Sequence, residues 1–268
     1  MSGAISQPRG HRLFARYACA PNARGYCGPP AVAGAGLEAV ACGHGAGVDV
    51  PSLAARFSGA WPYQCLIADL AGIADPLDER VVRAYWTGNA LTREINGRQL
   101  GELLLERFAS QAGHYWSHLT PGLLDEVTPT HAFHVFGVYP WTRLLATGRD
   151  EPLHVLDSCR IRSAEVLEVR PELVLVRARA LTWDGRQLEL AEPADEEVTW
   201  RSARGAFTGP LREGACVALH WGHICDELGE RAGSELDHWT ELQIETTNQR
   251  LDPSARAAHG RDVAAWLR

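Results

Sequence analysis

EGACVALHWGHICDELGERAGSEL, residues 213–236, is the stretch on which the reading of the fold turns. Its strand-like run ACVALHW carries His220 near its end, and His223, Cys225, Asp226 and Glu227 follow within seven positions. Three readings compete: a metal site, a catalytic cluster, or the edge of a small β-barrel. The flanking sequence decides between them.

Upstream, AEVLEV (164–169), LVLVRARAL (173–181), RQLEL (186–190) and EEVTWR (196–201) are short and rich in β-branched or alternating apolar residues. The turn signals RPE, WDG and REG separate the runs. Five such strands in about 65 residues predict a small barrel, SH3-like or OB-like. Downstream, SELDHWTELQIETTNQRL (234–251) reads as a helix with Ser234 as its N-cap. Residues 1–148 are written differently. SLAARFSGAWPYQCLIADLAGI (52–73), DERVVRAYWTGNAL (78–91) and GRQLGELLLERFASQ (97–111) repeat apolar residues every three or four positions, as amphipathic helices do. Ser52 and Asp78 stand where helices start, and PNARGYCGPPAVAGAG and Ala74-Asp75-Pro76 are breaks. HAFHVFGVYPWTRLL (131–145) is too apolar for a linker and is expected to be a core helix. The expected fold class is therefore α+β. An α-helical domain of open role spans 1–150, and a small OB-like or SH3-like β-barrel with a C-terminal helix spans 151–268.

The 268 residues are 46% hydrophobic and 22% charged, proportions that support a globular core. A net charge of −7 excludes wholesale phosphate or nucleic-acid binding, which needs an electropositive footprint, although a local basic patch is compatible with it. No run of about 18 apolar residues occurs, so no membrane span is expected. The first residues lack the apolar segment of a signal peptide, which points to the cytoplasm. The seven cysteines are widely spread and none forms a C-x-x-C pair, so free thiols rather than a structural zinc site are expected.

Several constellations compete for chemistry in the N-terminal half. Cys27, among glycine and prolines, is the better candidate nucleophile of the pair Cys19 and Cys27, though no cysteine-protease signature surrounds it. His44 lies in CGHG. His114 and His118 have the i, i+4 spacing of helical metal ligands, without the acid of a hydrolytic zinc motif. His131 and His134, in HAFH, read as core or lining histidines. A pocket joining Cys27 to His44, His131 or His134 would make the chain a small-molecule enzyme. No Walker loop, dinucleotide fingerprint or nucleophile elbow is present, and AGAG (33–36) is too little for one. The aromatics of WPYQ, AYW and YPW read first as core.

The second half resembles the HypC/HupF family of [NiFe]-hydrogenase assembly chaperones, over residues 157–251. CRIRSAEVLEV (159–169) is similar to the family's opening, in which a cysteine leads into a strand. ELVLVRARAL (172–181) follows at the spacing of the second strand. In REGACVALHWGHICDELGE (212–230), Gly214, Val217, Leu219, His220, Gly222, Ile224 and Leu228 match a G-D-x-V-L-V-H-x-G-x-A-I-x-x-L signature. The chain departs from the family in three ways: Cys159 is internal, Ser163 replaces a proline, and 181–211 is longer. The whole chain also resembles an actinobacterial family found near hydrogenase genes.

The resemblance implies an OB-like barrel with a C-terminal helix. It also implies a chaperone, not a catalyst, in which Cys159 and His220 hold iron transiently as the Fe(CN)2CO unit. Its partners would be the hydrogenase large-subunit precursor and a HypD-like scaffold, with no nucleic acid and no membrane. Thiolate and imidazole suit low-spin iron. The two residues are 61 positions apart, so only a closed barrel, with the first strand next to a last strand that ends in His220, would bring them together. In the signature, the places of His223 and Cys225 are structural; Asp226 and Glu227 read as solvated charges. A metal-free adaptor whose barrel only binds a partner is the other alternative. Read alone, Cys159 fits a buried apolar residue and His220 a strand residue satisfied by a carbonyl.

Overall fold

The computed structural model describes residues 7–30, 34–108 and 118–252. Apolar spacing produces the first helix, α1 (Arg9–Ala23), which buries Leu13, Phe14, Tyr17 and Ala18 along one side. The helices α2 (Gly34–Ala41), α3 (Val50–Ala54), α4 (Trp61–Ala71), α5 (Glu79–Trp86), α6 (Ala90–Glu94) and α7 (Gly97–Phe108) follow. Asp78 caps α5 by accepting from the Arg80 N–H, as the sequence predicts. Two expected continuous segments are interrupted. Residues 52–73 split into α3 and α4, with Asp49 rather than Ser52 as the cap of α3. The segment 78–91 breaks after Trp86, where Gly88 takes φ 82° and a Cβ would strike Trp239.

The segment 131–145 is not one core helix. A single turn, α8 (His131–Phe133), runs into a π-helical turn over His134–Val138, and Tyr139-Pro140 ends it before α9 (Trp141–Leu144). Proline cannot continue the ladder, and π turns concentrate at functional sites. Then comes α10 (Asp150–Cys159), so Cys159 closes a helix rather than leading a strand.

The strands are β1 (Arg162–Val169), β2 (Leu173–Ala178), β3 (Leu181–Trp183), β4 (Leu188–Leu190), β5 (Ala194–Thr199), β6 (Arg201–Ser202), β7 (Gly205–Ala206), β8 (Cys216–His220) and β9 (His223–Leu228). A mixed sheet runs β1-β2-β5-β9-β8, and β8 pairs back with β1, so the strand pairings form a ring. The contact closing β5 to β9 is parallel and rests on Thr199 opposite His223. The pairs β3–β4 and β6–β7 are separate ribbons. The strand carrying His220 is thus second to last, and a hairpin returns from it. Trp221 (φ 54°) and Gly222 (φ 69°) both take the left-handed conformation that a two-residue hairpin turn demands. The helix α11 (Glu230–Leu251) starts four residues before Ser234, with Gly229 at its N-cap.

Alternation on β8 positions the site. Val217 and Leu219 belong to the cluster inside the ring, with Val166, Val176 and Ile224. Ala218 belongs to the cluster of the helical half, with Phe14, Tyr17, Tyr85 and Trp86. Period two therefore turns His220 toward the helices as well. On β9, Ala218 pairs with Asp226 and Leu219 with Ile224, which leaves Cys225 as the extra residue of a bulge. Cys225 is fully buried in the helical cluster. Aromatic residues of WPYQ, AYW and YPW are core as expected: Tyr63, Tyr85, Trp86 and Tyr139 are all buried. Among the described residues no helix is long and apolar enough to cross a membrane.

Candidate metal centre

Three chain segments meet at one point. Cys159 is delivered by the C-terminus of α10, His220 by the end of β8, and His131 by the first residue of α8. The hairpin turn is tied to the helix end because the Trp221 N–H donates to the Ser158 carbonyl at 2.9 Å. Below it, the buried Arg160 holds Asp157 and donates to the Arg179 carbonyl, while Asp157 accepts from the Leu181 N–H. The helix end cannot shift without breaking these bonds.

One ligand atom each from His131, Cys159 and His220 lies within 4.8 Å of the others, and all three residues are buried. The Cys159 Sγ is 4.0 Å from His131 Nε2. Metal bonds of about 2.0–2.3 Å put ligand atoms up to about 4.5 Å apart, so small side-chain adjustments suffice to close on an ion. Among the described residues this is the one such group.

The ring nitrogens can be assigned from their partners. His220 Nδ1 lies 2.7 Å from the Tyr17 carbonyl oxygen. A carbonyl only accepts, so Nδ1 carries the proton and Nε2 presents a lone pair. That Nε2 is buried without a hydrogen-bond partner. His131 Nδ1 lies 3.0 Å from the Tyr85 hydroxyl, which in turn reaches the Gly59 carbonyl at 3.5 Å. Its Nε2 sits 3.0 Å from the Cys159 carbonyl. With the proton on Nε2 the ring bonds that carbonyl; with the proton on Nδ1 it donates to Tyr85 and frees Nε2. Both histidines thus have the outer partner that ligating histidines use to set their tautomer.

Burial sets the protonation states. It lowers His220 to about 4, against the pull of the Tyr17 carbonyl. It lowers His131 well below the usual imidazole range, helped by His220 and His134. It raises the Cys159 thiol to about 12. At neutral pH the site holds two neutral imidazoles and an un-ionised thiol. An arriving cation would have to displace the thiol proton, so affinity rises with pH. Trp86 packs against the His131 and His220 rings at 4.7 and 5.7 Å and keeps this environment dry.

The structure therefore brings Cys159 and His220 together, as the ring closure required, and adds His131. That histidine read as a core or lining residue, and it is indeed buried; its sequence carried no ligand-spacing signal toward residue 159 or 220. His134 is buried beside Tyr139 and Tyr63 and stays outside the cluster. His223 packs on Phe207 at 4.3 Å, lowered by burial to about 4. Cys27 is pushed above the ordinary thiol range by burial and by nearby Cys159, the reverse of an activated nucleophile. His44 is exposed. His114 lies outside the described residues. Asp226 corrects an expectation: it is 5% exposed within β9, not a solvated charge, and binds Arg16 and Arg83; Glu227 is exposed.

No curated protein and no solved structure matches the chain. A sequence-family model matches residues 6–254, nearly the whole length, and the chain accordingly belongs to DUF6390, a family of unknown function.

Proposed function

We propose that this protein is a cytoplasmic hydrogenase-assembly chaperone of the HypC/HupF kind, its five-stranded ring serving as an OB-like barrel. It holds the Fe(CN)2CO unit as cargo, or binds the large-subunit precursor that receives it. One observation carries the reading: Cys159 and His220, the pair named by the resemblance, share a buried cluster although 61 residues separate them. The donor set fits. A thiolate and neutral imidazoles suit low-spin iron, and the partnerless His220 Nε2 is an orphaned buried lone pair that a metal would satisfy. Three protein donors and three diatomic ligands would fill six positions around iron. The hydrogenase large-subunit precursor and a HypD-like scaffold are the partners in this reading.

The test is anaerobic co-purification with the hydrogenase maturation proteins, followed by infrared spectroscopy. Cyanide and carbon monoxide stretching bands are expected on the wild type and absent from Cys159→Ser and His220→Ala. Full hydrogenase maturation with Cys159→Ser, or wild type without bands, would overturn the iron-holding reading; binding to the precursor without bands would leave the metal-free adaptor.

A smaller effect tests the outer partner. Tyr85→Phe keeps the ring that packs on Trp86 and removes the hydroxyl facing His131 Nδ1. Loss of such a partner weakens metal binding by about 10–100-fold. Cobalt(II) titration, read by its thiolate absorption, should show that weakening with the melting temperature nearly unchanged; equal affinities would remove Tyr85 from the site.

A further inference from the structure

Away from the cluster, the outer side of α1 carries a concentration of positive charge that the fold only partly pairs. Arg9, Arg12 and Arg16 recur at i, i+3 and i+7, hence on one helix face. With Arg83 and Glu79 of α5 they line a cleft of about 250 Å³. Two carboxylates oppose these four guanidiniums. Asp226 accepts from Arg16 at 3.1 Å and from Arg83 at 2.8 Å, and Glu79 accepts from Arg83 Nε at 3.0 Å. Neither Arg9 nor Arg12 has an ion-pair partner among the described residues.

Three features make this costly for the folded protein alone. The cluster sits at the N-terminal end of a 15-residue helix, where the macrodipole is already positive and acids are favoured, yet the first turn holds none. The cap residue, Pro8, offers no side-chain acceptor. The Nε atoms of Arg12 and Arg16 are buried without a hydrogen-bond partner, although a guanidinium donor out of water normally has one. An anion in the cleft would offset the helix-end and guanidinium charge behind the first two.

We propose that this cleft is a binding site for a phosphate group. The carboxylates of Asp226 and Glu79 pre-orient Arg16 and Arg83, and Arg9 and Arg12 supply the uncompensated charge that a dianion matches. Planar guanidiniums give bidentate contacts to tetrahedral oxyanions, which is why arginine dominates phosphate recognition. The net charge of −7 makes a local patch, rather than the surface as a whole, the place for such binding. The site is linked to the buried cluster along the backbone of α1, where Arg16 precedes Tyr17, whose carbonyl holds His220. It rests on none of the iron chemistry.

The experiment is calorimetric titration of the full-length protein at low ionic strength, with inorganic phosphate and, separately, ATP without magnesium. Binding is expected, and Arg12→Gln or Arg9→Gln should weaken it at least tenfold. Arg186→Gln, a distant exposed arginine, should leave it unchanged. Without ligand, Arg12→Gln should melt at the wild-type temperature or higher, since it removes repulsion; phosphate should then raise the melting temperature of wild type only. Equal affinity for the two ligands assigns free phosphate as the source, and ATP at least tenfold tighter assigns a phosphate ester. No binding at millimolar phosphate, equal weakening by Arg186→Gln, or binding of an acidic peptide where phosphate fails would overturn the proposal.

Discussion

Asp226→Ala should destabilise the protein by about 3–5 kcal/mol in urea unfolding, a large share of the about 5–15 kcal/mol that holds a domain together. Among the described residues, Asp226 is the carboxylate that joins β9 to both α1 and α5, through Arg16 and Arg83, whose side chains are 16% and 32% exposed. Removing it leaves two partly desolvated guanidiniums facing each other, with Arg12 adding to the repulsion at Arg16. The cost therefore comes less from the lost attraction than from stranded charge. Asp195→Ala is the control. Its pair with Arg177 is about half exposed on both sides and should cost less than about 1 kcal/mol. If Asp226→Ala falls in that range too, the buried network does not hold the helical half against the sheet.

Acid should unfold the metal-free protein unusually early. Burial lowers His134 to about 3, His220 and His223 to about 4, and His131 well below its ordinary value of 6.5. In the unfolded chain the same imidazoles titrate near 6.5. Above that pH both states are neutral and stability is complete. Below it the unfolded chain takes up protons that the folded chain refuses, so stability falls until the pH reaches the depressed folded values near 4. Each histidine contributes about 1.4 kcal/mol of loss per pH unit inside that window, and four give about 5 kcal/mol between pH 7.5 and 5.5. Urea titrations at those two pH values in the presence of chelator measure it. His223→Gln should remove about a quarter of the slope without touching the cluster. Stability that stays flat across the window would mean that these rings are not buried neutral.

Where the local pattern controls structure, the chain is readable without coordinates. Period-two alternation located four of the ring's five strands within a few residues, and Asp78 was identified as a cap; β9 was missed, and the fifth expected run, 186–190, holds β4 of a separate ribbon. Each depends on a few neighbouring residues and on steric rules that act at short range. Interruptions were less legible. Residues 131–145 look continuous by composition, and only packing around Phe133, Phe136 and Pro140 breaks them into a helical turn, a π turn and a second helix. Ser234 looked like a helix start because it has the right hydroxyl; the chain had already turned at Gly229, where β9 ends.

The candidate site divides in the same way. Cys159 and His220 were paired by the resemblance to the chaperone family, and the pairing of β1 with β8 is what lets them meet. His131 was not part of that pair. Its place beside them depends on how α8 packs among α5, α10 and α11, and no periodicity encodes that contact across 28 residues to Cys159. Asp226 is the sharpest case. A run of Asp and Glu before a helix reads as solvent-facing, but the bulge at Cys225 re-aims one carboxylate into the interior, where arginines 210 and 143 positions earlier are waiting. Sequence by itself determined the α+β class and most of the elements, because those follow from local sterics and hydrophobic alternation. The place of His131 beside Cys159 and His220, the ionisation of all three and the arginine cleft were decided only by tertiary structure, since burial and charge neighbours exist only once distant segments have packed.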